Sequence, residues 1–149
     1  HRYSVRSILI LRPNLLVSTS GDETIKFWNI ATGKCVHTEN NVHKYSVRSA
    51  LYDHSQNLVI TCGEDFTVKV WDLKLKEQED DQVESCTLRH TITNPFQCWC
   101  ISLAFLDLNE AIVGDRDGNM FIVNFKHGLC VQTYAKAHPR FIYSFCVLK

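Results

Sequence analysis

Cys86, His90, Cys98 and Cys100 fall within fifteen residues of one another, and thiolate and imidazole are the ligands that zinc takes in tetrahedral sites. Their spacing lacks a paired Cys-x2-Cys arrangement. Cys98 and Cys100, two apart on an extended stretch, share a face on which small thiols ordinarily pack. A thiol nucleophile with His90 as its base is no better supported, because no neighbouring group marks a lowered thiol pKa. The second chemically suggestive stretch is Gly114-Asp115-Arg116-Asp117-Gly118. Acids stand there where a phosphate cradle needs bare backbone N–H groups and a lysine. As a calcium loop it fails too, since Asn119-Met120-Phe121 enters a strand before the twelve-residue ligand run closing on glutamate can be completed. Turn chemistry accounts for it better. No catalytic residue, metal ligand or cofactor is predicted.

The elements that would position any site are set by internal repetition. Leu58 to Leu73 (LVITCGEDFTVKVWDL) has a counterpart at Leu15 to Ile30 (LLVSTSGDETIKFWNI), and a weaker one in AIVGDRDGNMFIVNF. In these, Asp22, Asp65 and Asp117 stand six residues before Trp28, Trp71 and Val123. HRYSVRS at His1 recurs as HKYSVRS at His43, 42 residues on, and TGKCVHT recurs as HGLCVQT after 95. A period in the forties points to propeller blades or helical arrays. Alternating β-branched and aromatic residues, punctuated by Gly, Asp and Asn, select strands.

Four short strands per unit follow, in the first unit Val5 to Leu11, Leu15 to Thr19, Thr24 to Ile30 and Lys34 to Thr38. The units divide as 1–42, 43–94 and 95–137, with 138–149 as the first strand of a further unit. The spacing from Trp71 to Ile101 is about nine residues longer than its equivalents, and the excess falls on the charge-rich 74–85 (KLKEQEDDQVES). A solvated flexible loop is expected there, with an acidic docking element as the alternative.

Composition narrows the classes of function. With 149 residues and 45% apolar content the chain can bury a core. Sixteen basic and sixteen acidic residues cancel, so no global field draws it to nucleic acid or an anionic surface. No apolar run approaches the ~20 residues of a membrane span. Seven cysteines within strand-like runs, and no Asn-x-Ser/Thr, fit free thiols in a reducing compartment. The first residue is His1, and the expectation is a processed chain or a piece of a longer one.

Trp71-Asp72, the preceding Asp65, the glycine-bearing turn and a histidine 22 residues before Asp65 together resemble the WD-repeat β-propeller family. The resemblance implies all-β blades of four antiparallel strands in an incomplete ring. It also implies a polar network of His43, Thr61, Asp65 and Trp71 in the second unit and of His1, Ser18, Asp22 and Trp28 in the first, to which Asp117 and His138 are added. Such a network is read as structural rather than as a catalytic triad, because a triad needs an exposed, activated hydroxyl.

Departures from the pattern are clear. Val42-His43 and Ala137-His138 lack the family's glycine, while the third unit has Pro95, Val113 and Val123-Asn124 in place of His, Ser/Thr and Trp-Asp. Propellers close with ~4–8 blades, so three units and a strand are expected to need further blades.

By the same resemblance the loops carrying Asp22, Asp65 and Asp117 share one face with the loops entering each unit. That face would present Arg2, Tyr3, Lys44, Tyr45, Glu64, Arg116 and Arg140 to a protein partner, including an acidic or phosphorylated peptide. Arg6 and Arg48, mid-strand, are expected to pair with neighbouring carboxylates.

The implied function is a non-catalytic protein–protein interaction scaffold in a multiprotein assembly, in the cytoplasm or nucleus and without membrane insertion. One alternative is a nucleic-acid-associated adaptor of a ribonucleoprotein or chromatin complex, contacting nucleic acid only indirectly. It is disfavoured by the absence of a basic stripe. An enzyme on a propeller is the weaker alternative.

Overall fold

Period-two alternation of apolar residues produces strands throughout, and every strand pairs antiparallel with its neighbour in sequence within a unit. The computed structural model describes residues 1–76 and 79–148, the side chains of 79–81 excepted. The first sheet, in spatial order, is β1 (Val5–Arg12), β2 (Leu15–Ser20), β3 (Ile25–Asn29) and β4 (Lys34–Glu39). The second is β5 (Val47–Asp53), β6 (Leu58–Gly63), β7 (Thr67–Lys76) and β8 (Glu79–Thr93). The third is β9 (Cys100–Asp107), β10 (Glu110–Asp115), β11 (Met120–Asn124) and β12 (Leu129–Tyr134). Among the described residues there is no helix, and residues 139–148 have no ladder partner.

The sheets stack face to face, with β1 beside β5 and β5 beside β9. Two cores result, and the alternation along β6 divides its residues between them. Val59, with Tyr52, Trp71 and Leu73, meets Leu15, Val17, Ile25 and Phe27 of the first sheet. Leu58, Ile60 and Cys62, with Val68 and Val70, meet Leu103, Val113, Phe121 and Phe125 of the third. All of β6 is buried as a result, which explains its nearly continuous apolar reading.

Of the stretch expected to be a solvated loop, residues 74–76 and 79–85 lie in strands. There β7 and β8 run on as a paired ribbon with Leu73 opposite Cys86, Lys74 opposite Ser85 and Leu75 opposite Val83. Leu73, Val83 and Cys86 belong to the core between the first two sheets and Leu75 packs against it. Lys74 meets Glu84 at 3.1 Å and Lys76 donates to Gln82 at 2.8 Å. Leu75 and Val83 of the insertion thus have apolar surface to cover, and Lys74 and Glu84 pair across the ribbon. The central Glu77 and Gln78 of the insertion lie outside the described residues.

Candidate functional site

At one end of the sheets the strand-connecting turns meet the segments that enter each unit, joined by the same backbone bond three times. Gly21 N–H donates to Ser4 O (3.0 Å), Glu64 N–H to Ser46 O (3.1 Å) and Arg116 N–H to Trp99 O (3.0 Å). In the first two of these turns Asp22 and Asp65 are partly buried, while Asp117 of the third is exposed.

In the second unit they form a relay with one consistent proton assignment. A carboxylate only accepts, so His43 Nδ1 carries the proton and donates to Asp65 Oδ1 at 2.8 Å. Nε2 is then an acceptor, and Thr61 Oγ1 donates to it at 2.8 Å. The same Thr61 oxygen accepts the indole N–H of Trp71 at 3.0 Å. Asp65 also accepts from Thr67 Oγ1 (2.7 Å) and from Lys44 N–H (3.0 Å).

The first unit repeats the arrangement. His1 Nδ1 lies 3.1 Å from Asp22, Ser18 Oγ is 2.7 Å from His1 Nε2, and Trp28 Nε1 donates to Ser18 Oγ at 2.8 Å. In both units the order is carboxylate, imidazole, hydroxyl, as in a nucleophilic triad. The hydroxyls are nevertheless buried, with Thr61 0% and Ser18 4% exposed, and each already accepts an indole proton. Each hydroxyl is thus committed to both an imidazole and an indole, and the arrangement ties turn to strand.

Burial drives the His43 imidazole below its ordinary range, with Lys69 adding to that effect and the hydrogen bond and charge of Asp65 opposing it. For Asp65 burial alone would raise the carboxyl, but His43, Thr67 Oγ1 and Lys44 N–H outweigh it and hold the group well below the usual carboxylate range. Burial is outweighed likewise at Asp22, by Thr24, Arg2 and Ser20. Both members of the His43–Asp65 pair therefore bind protons less readily folded than unfolded, and stability falls as pH falls.

The His43 contribution is complete above the unfolded imidazole value of about 6.5 and is lost below it, toward the lower folded value. That of Asp65 is lost below about 3.9. Urea midpoints measured between pH 7.5 and 5 should therefore decline, and His43→Gln should flatten that decline. Equal pH slopes for the two proteins would refute the assignment.

The third unit is built differently. Asp117 is exposed and pairs with Arg116 at 3.2 Å, which holds its carboxyl below the usual range, Lys136 adding to the effect. It meets no histidine. Pro95, at the expected histidine position, is exposed. His138 is exposed as well, and its backbone N–H donates to Gly118 O at 3.0 Å. Neither residue joins a His–Asp–hydroxyl relay.

A set that the sequence reading passed over takes the relay's place. Asp115, 0% exposed, accepts on Oδ1 from the N–H of Asp117 and of Asn119 (both 2.9 Å). On Oδ2 it accepts from the amides of Asn119 (2.8 Å) and Asn94 (3.3 Å). Asn94 reaches on to Cys98 O (2.9 Å), and Asn119 Oδ1 accepts Lys136 N–H (2.9 Å). The register explains the exchange. Asp115 opposes Cys100 as Gly63 opposes Val47, and a Cβ at Gly63 would stand 2.6 Å from Cγ of His43. Where no histidine is supplied, a carboxylate at the equivalent position fills that region. The only sequence signal was an acid closing a strand with asparagine four residues on.

Of the residues expected on the loop face, Arg2, Tyr3, Lys44, Tyr45 and Arg140 are exposed. Glu64 is half-buried and taken up by Arg48 at 3.2 Å. Arg116 stacks over Trp99, 4.7 Å from the ring centroid. Arg6 meets no carboxylate but donates to Ser46 Oγ (3.3 Å), bridging the first two units. The thiol cluster is not brought together, since Cys86 lies in the core between the first two sheets and Cys100 in that between the second and third. Burial pushes the Cys86 thiol up to about 12 and that of Cys100 well above its ordinary value. Among the described residues no three His, Cys, Asp or Glu side chains are grouped to hold a metal, and no helix is long and apolar enough to cross a membrane.

Comparison with known proteins agrees with this architecture. The family model "WD domain, G-beta repeat" matches residues 33–72. The chain is 36% identical over 66 residues to the Polycomb group protein FIE1 of Zea mays, covering 42% of this chain and 14% of that protein. It is 34% identical over 74 residues to cell division control protein 4 of Saccharomyces cerevisiae, covering 50% of this chain and 9% of that one. With meiotic recombination protein rec14 of Schizosaccharomyces pombe it shares 30% identity over 145 residues, 88% of this chain and 45% of that one. The chain thus spans less than half the length of each of these relatives.

Among solved structures, the WD40 β-propeller domain of Doa1 superposes with a TM-score of 0.70 at 26% identity, over 96% of this chain and 43% of that one. The designed protein Ika4 shares the fold, with a TM-score of 0.77 at 21% identity, over all of this chain and 82% of that one. These matches and the three four-stranded antiparallel sheets support a WD-repeat family segment, an open arc of β-propeller blades.

Proposed function

We propose that this arc acts as a non-catalytic protein–protein interaction scaffold within a larger intracellular propeller, its loop face docking partners of a multiprotein assembly. The observation that carries the reading is a division at one end of the sheets. Groups capable of chemistry (His43, Thr61, Asp65, Asp115) are buried or spent on one another beneath the turns, while Arg2, Tyr3, Lys44, Tyr45 and Arg140 stand exposed above them. Arginine and tyrosine are the side chains that most often carry binding energy, and turns fixed from below lose little entropy on docking.

The outer face of the first sheet supports the presence of further blades. Val5 (50% exposed), Ile8 (63%) and Ile30 (44%) leave an apolar groove of about 520 Å³ beside Trp28, surface of the kind that is buried between the sheets elsewhere in the arc. Residues 138–149 are read as entering the next blade.

Affinity purification of the full-length protein, with mass spectrometry of what accompanies it, tests the reading. Stoichiometric partners should be retained by the wild type and lost on the combined substitution Arg2→Glu, Lys44→Glu and Arg140→Glu, with the circular dichroism spectrum unchanged. Partners that ignore these reversals would move the docking surface elsewhere, and a partner-free protein would remove the scaffold reading.

A further inference from the structure

Two thiols meet at the seam between the second and third sheets. Cys62 is the last residue but one of β6 and Cys100 is the first of β9, strands that lie beside each other. Both are 0% exposed, and both belong to the core that these sheets share. We propose that Cys62 and Cys100 are the two halves of a reversible intrachain disulfide that staples the second blade to the third when a peroxide reaches the seam. The proposal goes beyond the scaffold reading and needs only the stacking of these two sheets.

The ladders show why the two side chains face each other. Ser49 opposes Cys62 in the second sheet and Ser102 opposes Gly114 in the third, so Cys62 and Gly114 hold the same rank. That rank looks straight at the unit that follows, since a Cβ on Gly114 would stand 2.7 Å from Cβ of Ile142. Cys100 opposes Asp115 as Val47 opposes Gly63, and Val47 packs into the core shared with the first sheet. In the first sheet the rank of Cys62 is held by Thr19, opposite Ser7. The seam between the first two sheets thus carries Thr19 and Val47 where the next carries Cys62 and Cys100. Of these two seams, the second alone has sulfur on both sides. The remaining cysteines lie elsewhere: Cys86 is in the other core, Cys98 is beside Asp117, and Cys35, Cys130 and Cys146 are exposed.

Burial governs when the chemistry runs. It lifts both thiols above their ordinary range, and the nearness of Cys62 adds to that effect at Cys100, so in the closed seam both stay protonated and inert. The pair is silent until the seam opens. A thiolate then attacks hydrogen peroxide, the O–O bond breaks, and a sulfenic acid and one water are formed. The second sulfur attacks the sulfenyl sulfur, the S–OH bond breaks, and a second water leaves with the thiol proton. Two thiols and one peroxide give one disulfide and two waters, each sulfur losing one electron to the peroxide oxygens. A thiol reductant restores the pair by exchange.

The test uses the full-length protein, hydrogen peroxide with and without urea below the unfolding midpoint, and tryptic mapping by mass spectrometry after free thiols are blocked. Cys98 shares its tryptic peptide, 90–116, with Cys100. Cys98→Ser is therefore the parent, and fragmentation of the joined peptides gives the same readout in the wild type. A cross-link between peptides 49–69 and 90–116 should form at least tenfold faster in urea than in buffer and vanish on dithiothreitol. While it lasts the urea midpoint should rise by about 1–2 M. Cys62→Thr and Cys100→Val install residues that other blades carry at these ranks, so each should fold, and each should lose both the cross-link and the rise. Cross-linking to any other cysteine, or none at a urea concentration where iodoacetamide reaches both thiols, would overturn the pairing. A bond that forms equally fast in buffer would overturn its control by seam opening, and an unchanged midpoint would overturn the staple. The scaffold reading stands or falls separately, on the co-purification of partners.

Discussion

Replacing Gly118 by alanine is expected to destabilise the protein by about 2–4 kcal/mol, although no charge is altered. Two contributions can be separated by comparing the three turns. Glu23, Phe66 and Gly118 each follow the turn aspartate and all have positive φ (67°, 68° and 83°). In the first two units a residue with a side chain is held in the left-handed region, at a strain of about 1–2 kcal/mol. The backbone angle alone therefore does not demand glycine.

What distinguishes Gly118 is what lies above it. A Cβ there would stand 1.9 Å from His138 O and 2.7 Å from His138 C, and these are backbone atoms that no rotamer change can move. The segment 138–140 must shift, taking with it the bond from His138 N–H to Gly118 O and the position of Arg140. Equilibrium denaturation should show the full loss for Gly118→Ala, against about 0.5 kcal/mol or less for Glu23→Ala, which keeps its strain and meets no obstacle. Hydrogen exchange at the His138 amide should accelerate in the first variant alone. A Gly118→Ala protein as stable as the wild type would mean that the 138–140 segment is not fixed where the structure has it.

The same comparison shows which parts of this molecule are readable from its letters. The set of His43, Thr61, Asp65 and Trp71 was implied by the family resemblance that the Asp–Trp separation and the histidine 22 residues upstream carry, and the four side chains are hydrogen-bonded in the structure. The third unit obeys the same spacing at Asp117, yet with Pro95 in place of a histidine that acid has nothing to bind inward and turns to Arg116. Position alone could not show that the inward role had passed to Asp115.

Register was readable only to within a residue, since the ladder sets Ser102 against Gly114 as it sets Ser49 against Cys62, one place beyond Ile101. The ribbon of residues 74–76 and 79–85 was hidden for a different reason. Its composition is that of a solvated loop, and Leu75 and Val83 mark it as paired strands only once the first sheet is present to cover them. Long-range packing decided those cases, and it leaves no local pattern.

Asp115→Ala should be the more damaging of the two substitutions, at about 3–5 kcal/mol. The carboxylate uses both oxygens for four donors, close to its full acceptor capacity. It does so with no exposed surface, so water does not replace it when it is removed. Each stranded buried donor costs about 1–3 kcal/mol. The four are not independent, because both amide donors belong to asparagines that can turn toward other acceptors, and the sum is accordingly reduced.

Asp115→Asn separates acceptor chemistry from volume. It keeps the shape but turns an NH2 group toward N–H donors on one side, and about 2–3 kcal/mol is expected. Because Asn119 holds Lys136 and Asn94 holds the Cys98 carbonyl, both variants should speed hydrogen exchange at the amides of Asp117, Asn119 and Lys136 while leaving those of Lys44 and Thr67, around Asp65, protected. An Asp115→Ala protein within 1 kcal/mol of the wild type would show that the third blade is held by its apolar core alone, through Phe121, Val123 and Phe125.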